Sequence, residues 1–220
     1  MTLAPWFLEA AGRHTLDALY PERCSLCGTI GRPRICPDCM EEFEPHTPPV
    51  GPGRQSLEFT AAVYAFRGRA AHAVKRLKYE RATSLAAPMA GLMRKAHASA
   101  GLPEADAIVP VPIHRSRERL RGFNQSELLV EELPGGLVNY SLLKRTRQTR
   151  PQVELTAKER LNNLRGAFEA DPRARGLRVL LVDDVVTSGG TALACAEALI
   201  GIGAASVGIL AFCGEKTSVE

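Results

Sequence analysis

The stretch that most restricts the fold is RVLLVDDVVTSGGTALACAEALIGIGAASVGILAFC, Arg178 to Cys213. It reads as an apolar strand, a short loop of glycines and hydroxyl side chains, an Ala/Leu-rich helix ending near Gly201, and a second apolar strand. Two near-continuous apolar strands joined through a helix form a crossover unit, and such strands lie parallel with both faces covered. Earlier segments repeat the alternation. LEFTAAVYAF is read as a strand, RAAHAVKRLKY and SLAAPMAGLMRKAHA as helices, ADAIVPVPI as a buried strand ended by its prolines, QSELLVEEL as a helix capped by Asn124 or Ser126, and VNYSLLKRT as a strand. Strands alternating with helices predict an α/β fold with a mainly parallel sheet and helices on both faces.

The strand RVLLVD delivers Asp183 and Asp184 to its carboxyl end, where open parallel sheets bind ligands. The loop Thr187, Ser188, Gly189, Gly190 and Thr191 follows at once. Its glycines let backbone N–H groups turn inward, its hydroxyls donate, and the helix that follows favours an anion at its N-terminus. Carboxylates suit sugar hydroxyls or, through them, a metal, and the loop suits phosphate. Taken singly, an Asp after a strand is a helix cap and a Ser-Gly-Gly loop is a turn; the combination in this order points to a phosphorylated sugar. Neither a Walker loop nor a dinucleotide fingerprint is present.

Four of the six cysteines fall in one window, Cys24-Ser-Leu-Cys27 and Cys36-Pro-Asp-Cys39. Two such pairs supply four thiolates to a tetrahedral, structural Zn²⁺. Disulfides and a redox pair are the alternatives; the first needs an oxidising compartment, and the second needs a flanking strand and helix where Pro21 and Gly28 indicate turns. The eight residues between the pairs are fewer than zinc ribbons usually carry, which predicts a compact knuckle pair. Cys195 and Cys213 read as buried, inert thiols.

Organisation follows from these segments. Residues 1–45 are expected to hold an amphipathic N-terminal helix and the zinc module, 46–56 a Pro/Gly-rich linker, and 57–220 the α/β domain. A chain of 220 residues with 45% hydrophobic residues can bury such a core. Its N-terminus lacks the basic start of a signal peptide and no run is long enough for a membrane span, so a cytoplasmic protein is expected. The net charge of +4 excludes a uniformly basic nucleic-acid binder, but Ile113 to Arg165 holds eleven Lys and Arg against six Asp and Glu, a net +5.

The segments CSLCG with CPDC, VKRLKYERA, IVPVPIHRSRERLRGFNQSELL and RTRQTRPQVELTAKERLNNLRGAF, followed by VLLVDDVVTSGGT, resemble the ComF family of competence proteins. That family carries a type I phosphoribosyltransferase fold behind a cysteine module, and the last segment is similar to its phosphoribosyl-pyrophosphate (PRPP) motif. The resemblance implies that Asp183 and Asp184 hold the ribose hydroxyls and that Thr187, Ser188, Gly189, Gly190 and Thr191 wrap the 5′ phosphate. It implies a pyrophosphate loop at Val111, Pro112 and Ile113 with His114 and Arg115 following, Lys78 approaching the pyrophosphate, and a lid from Arg145 to Arg165 contributing Gln152 and Arg160. Mg²⁺ would accompany PRPP. Arg117 and Arg121 read by themselves as a solvated face.

No acceptor can be read from the sequence. A Mg²⁺-assisted PRPP-dependent transferase, a non-catalytic competence factor binding PRPP or single-stranded DNA with Arg side chains and Phe123, and a zinc-containing scaffold with a relic motif all stay open.

Overall fold

A computed structural model describes residues 21–47, 50–53, 55–133, 135–148, 164 and 166–215. The N-terminal helix expected before residue 21, together with Gln152 and Arg160, lies outside the described residues.

The main sheet has five strands in the order β1, β2, β7, β6, β3. These are β1 (Val50–Pro52), β2 (Phe59–Ala65), β3 (Ala107–Pro110), β6 (Arg178–Val186) and β7 (Ser206–Gly214). All neighbours are parallel except β1 and β2. A small antiparallel ribbon of β4 (Leu143–Arg145) and β5 (Phe168–Ala170) stands apart. Among the described residues the α-helices are α1 (Pro37–Glu41), α2 (Gly68–Tyr79), α3 (Ala86–Ser99), α4 (Arg115–Arg121), α5 (Gln125–Val130) and α6 (Gly190–Gly201).

The alternation of side chains along a strand divides the core in two. On β6, Leu180 and Val182 face a layer built from α2, α3 and α5, through residues such as Val74, Leu77, Met89 and Leu129. Val179 and Leu181 face the other side, where Cys195, Ala196 and Leu199 of α6 pack with Leu143 and Phe168 of the ribbon. Both faces are covered, which is why β6 and β7 tolerate almost no polar residue before their carboxyl ends.

Two strands differ from the sequence reading. The Pro/Gly-rich segment read as a linker contains β1, whose Val50 pairs with Ala61; a proline is tolerated there because the strand lies at an edge. The strand expected over VNYSLLKRT is limited to Leu143–Arg145, and its partner β5 follows directly on the segment assigned to the lid.

The cysteine segment packs on the α/β core. Cys24, Leu26, Ile35, Cys36, Cys39 and Phe43 belong to the same apolar core as α2 and the sheet. Phe43 meets Tyr64 and Phe212 edge-on, with ring centroids 5.1 and 6.0 Å away. Ion pairs Arg69–Glu42 and Arg67–Glu44 flank this seam.

Candidate functional site

Near its carboxyl end the apolar strand β6 carries two acidic residues, Asp183 and Asp184. Asp184 is 1% exposed and Asp183 9%. Burying two adjacent carboxylates is unfavourable unless each finds partners. Ser126 at the start of α5 donates its hydroxyl to Asp183 Oδ1 at 2.8 Å, and the Asp184 N–H donates to the same oxygen at 2.9 Å. Lys78 in the last turn of α2 places Nζ 2.8 Å from Asp184 Oδ2. Asp184 Oδ1 has no hydrogen-bond partner among the described residues.

The electrostatics follow from this crowding. Burial first, and then the adjacent Asp184, push the Asp183 carboxyl up to about 7. Burial would lower the Lys78 ammonium, but the charges of Asp184 and Asp183 outweigh it and hold the group above its ordinary value.

The loop from Thr187 turns at Gly189, which has φ +74° and stands at the N-cap of α6. Glycine adopts this left-handed backbone without a Cβ penalty, and the turn brings the N-terminus of a twelve-residue helix to the space beside Asp183. That space is a cavity of about 670 Å³ bordered by the whole loop, Lys78, both aspartates and the segment Val111–Ile113. Arg117, Arg121, Gln125 and Arg145 border it as well.

Most of the expected residues therefore meet at one cavity: Lys78, Pro112, Asp183, Asp184, Thr187, Ser188, Gly189, Gly190 and Thr191. His114 and Arg115 do not border it. His114 instead caps α4, its Nδ1 accepting from the Ser116 N–H at 3.2 Å. Arg117 and Arg121, read from sequence as a solvated face, do border the cavity. Sequence reasoning missed Ser126 as the partner of Asp183; the cap of α5 is Asn124, which leaves the Ser126 hydroxyl available. It also missed Arg145 as a wall residue, whose guanidinium lies 5.2 Å from the Phe168 ring centroid. Burial and then the positive charge of Arg117 lower the Arg145 guanidinium below its ordinary value.

The four cysteines form a second centre. Their Sγ atoms all lie within 4.8 Å of one another, with Cys24–Cys39 at 3.9 Å and Cys27–Cys36 at 3.8 Å. Sulfurs bound at the usual Zn–S distance of ~2.3 Å on a tetrahedron stand about 3.8 Å apart, so the donor set fits zinc. The cysteines are free thiols. Burial would raise the Cys24 thiol, but backbone N–H groups, those of Leu26 and Cys36 at 3.4 Å among them, bring it down to about 6. Such amides stabilise a ligating thiolate. One bridge, Arg23–Ile30, marks the knuckle in place of long ribbon strands. Among the described residues no helix is long and apolar enough to cross a membrane.

Known families match both parts of the chain. A phosphoribosyl transferase domain model matches residues 127–220, and a double zinc ribbon domain model matches residues 15–52. The DNA utilization protein YhgH of Salmonella typhi is 34% identical over 202 residues, covering 86% of this chain and 89% of that protein. Competence protein F of Haemophilus influenzae is 41% identical over 97 residues, 41% of each chain. Competence protein ComFC of Bacillus subtilis is 31% identical over 99 residues, 45% of this chain and 40% of that one. The chain belongs to the ComF family, and it joins an α/β domain of the phosphoribosyltransferase type to an N-terminal zinc-ribbon module.

Proposed function

We propose that this protein binds PRPP together with Mg²⁺ and transfers the 5-phosphoribosyl group to an acceptor, in the service of handling DNA taken up from outside. The observation that carries the reading is the buried pair Asp183–Asp184, with one carboxylate oxygen lacking a hydrogen-bond partner among the described residues, beside a glycine-turned loop at a helix N-terminus in the same cavity.

In this reading Asp183 and Asp184 accept hydrogen bonds from the ribose 2′ and 3′ hydroxyls, and the N–H groups and hydroxyls of Thr187 to Thr191 receive the 5′ phosphate. The turn at Val111 to Ile113, with Lys78, Arg117 and Arg145 on the walls, faces the pyrophosphate. Gln152 and Arg160 would belong to a lid that excludes water during transfer. Mg²⁺ bound with PRPP would supply positive charge that stabilises the leaving pyrophosphate. As the bond to pyrophosphate breaks, the sugar gains oxocarbenium character, and the adjacent carboxylates oppose that developing positive charge. The domain division that accompanies this reading is a zinc module in residues 1–45, joined through 46–56 to a transferase domain in 57–220.

A second reading, a competence factor that holds single-stranded DNA or a nucleotide without chemistry, is favoured by α4. That helix carries Arg115, Arg117, Arg119 and Arg121 in seven residues and buries none of its side chains. Calorimetric titration of PRPP with Mg²⁺, followed by pyrophosphate release with candidate acceptors, separates the two. PRPP binding without release for any nucleic acid or base supports the second.

A further inference from the structure

The zinc knuckle and the carboxylate pair are joined by one helix. Arg76 and Lys78 are two residues apart on α2, and residues so spaced point about 200° apart around a helix. Lys78 reaches Asp184 on one side. Arg76 reaches the opposite side, where Nη1 donates to the backbone carbonyl of Ser25, between the ligating Cys24 and Cys27. Between them Leu77 is fully buried in the core that also holds Cys24, Leu26 and Cys36. Shortly beyond α2, Ser84 shares a 2.9 Å hydroxyl contact with Ser25. At the other end of the helix, Arg69 Nε donates to both Glu42 oxygens at 3.2 and 3.1 Å.

We propose that Arg76 is a positioning residue, through which the metal-loaded knuckle fixes the last turn of α2 and so holds Lys78 against Asp184. The knuckle is then a part of the site's support and not a separate binding module. Its shape depends on the metal because the run from Cys24 to Cys27 is a turn, held in place by the four gathered sulfurs. The gathered sulfurs fix the turn that carries Ser25 O, with the Ser25 N–H bond to Arg34 O at 2.8 Å and the Ser84 hydroxyl beside it. Once they part, the Arg76 guanidinium loses its backbone acceptor and keeps the Glu80 carboxylate, its partner at 2.7 Å one turn on. An exposed pair of that kind contributes little.

The site rests on the PRPP reading only for its ligand; the helix coupling does not. The test therefore uses two measurements on the full chain, amide hydrogen exchange with the Lys78 ammonium NMR signal, and Mg²⁺–PRPP affinity. In Arg76→Ala, zinc content by elemental analysis is expected to remain at about one ion per chain. Exchange at Leu77 to Tyr79 is expected to accelerate roughly tenfold while β6 and β7 keep their protection. The Lys78 signal should broaden or shift, and PRPP affinity should fall by about threefold to thirtyfold. Arg76→Lys, which keeps a donor, should recover most of both effects, and Arg69→Ala should reproduce neither. Stripping zinc from the wild type should give the same local change at α2. Unchanged exchange and an unchanged ammonium signal in Arg76→Ala would overturn the proposal. So would acceleration spread evenly over the chain, or an α2 indifferent to zinc. If the wild type does not bind PRPP, the proposed function fails, and the exchange measurement still decides the role of Arg76.

Discussion

Lys78 and Asp184 meet at 2.8 Å although 106 positions separate them in the chain, and the carboxylate of the pair is 1% exposed. The contact ties α2 to the end of β6. An unpaired charge left in that position is expensive. Replacing Lys78 with Met should lower stability at neutral pH by about 3–5 kcal/mol, measured by urea unfolding, whereas Lys78→Met combined with Asp184→Asn should lose much less. Equal losses in the two variants would mean that the ion pair does not compensate the buried carboxylate.

The position of Asp183 gives a pH signature. Its carboxyl is raised to about 7 in the fold, against about 4 in an unfolded chain. The folded state therefore holds the proton more tightly, so this group's contribution to stability is full below about pH 4 and is lost as pH rises through about 7. Thermal unfolding of the wild type should lose stability between about pH 4 and pH 7 relative to Asp183→Asn, which carries no such proton. Parallel curves for the two proteins would contradict the assigned shift.

Gly189 tests the loop. With φ +74° and no atom within 4 Å of the place a Cβ would take, the penalty for Ala there is one of backbone conformation and not of collision. Gly189→Ala should cost about 1–2 kcal/mol of stability and weaken phosphate-bearing ligands, because the N–H groups at the start of α6 would be turned away. Gly201→Ala, at a negative φ in the last turn of the same helix, is the control and should be neutral or slightly stabilising.

Zinc removal should reach beyond the knuckle. Cys24→Ser should purify without stoichiometric zinc by elemental analysis and should melt in a broader, earlier transition than the wild type, since Cys24, Leu26 and Phe43 share the core of α2 and β7. Unchanged melting in a zinc-free variant would show that the sulfurs do not need a metal to stay gathered.

What could be read in advance was whatever the chain places close together. The strand RVLLVD, its two aspartates, the glycine turn and the helix behind it are local, and their order alone brings Asp183 to Thr191 to a sheet's carboxyl edge. The cysteine tetrad is equally local. Contacts made by the tertiary fold were not legible: the Ser126 hydroxyl meets Asp183 across 57 positions, and Arg76 meets Ser25 across 51. The sequence around Arg117 shows only that α4 is charged, and only the folded position of α4 reveals which arginines face the cavity. A histidine beside a phosphate loop reads equally as a ligand or as an ordinary exposed side chain, and at His114 the structure shows a helix cap, accepting from the Ser116 N–H. β1 escapes a sequence reading because Pro and Gly dominate its segment, and an edge strand does not need a full ladder of donors.

PRPP binding by the two aspartates and the loop is the central claim of the proposed function. Calorimetric titration of PRPP with Mg²⁺ into the purified protein, beside the double variant Asp183→Asn/Asp184→Asn, tests it most directly. Saturable binding to the wild type is expected, with loss of that binding in a variant whose circular dichroism and zinc content are unchanged. Equal binding by both proteins, or none by the wild type, would contradict it.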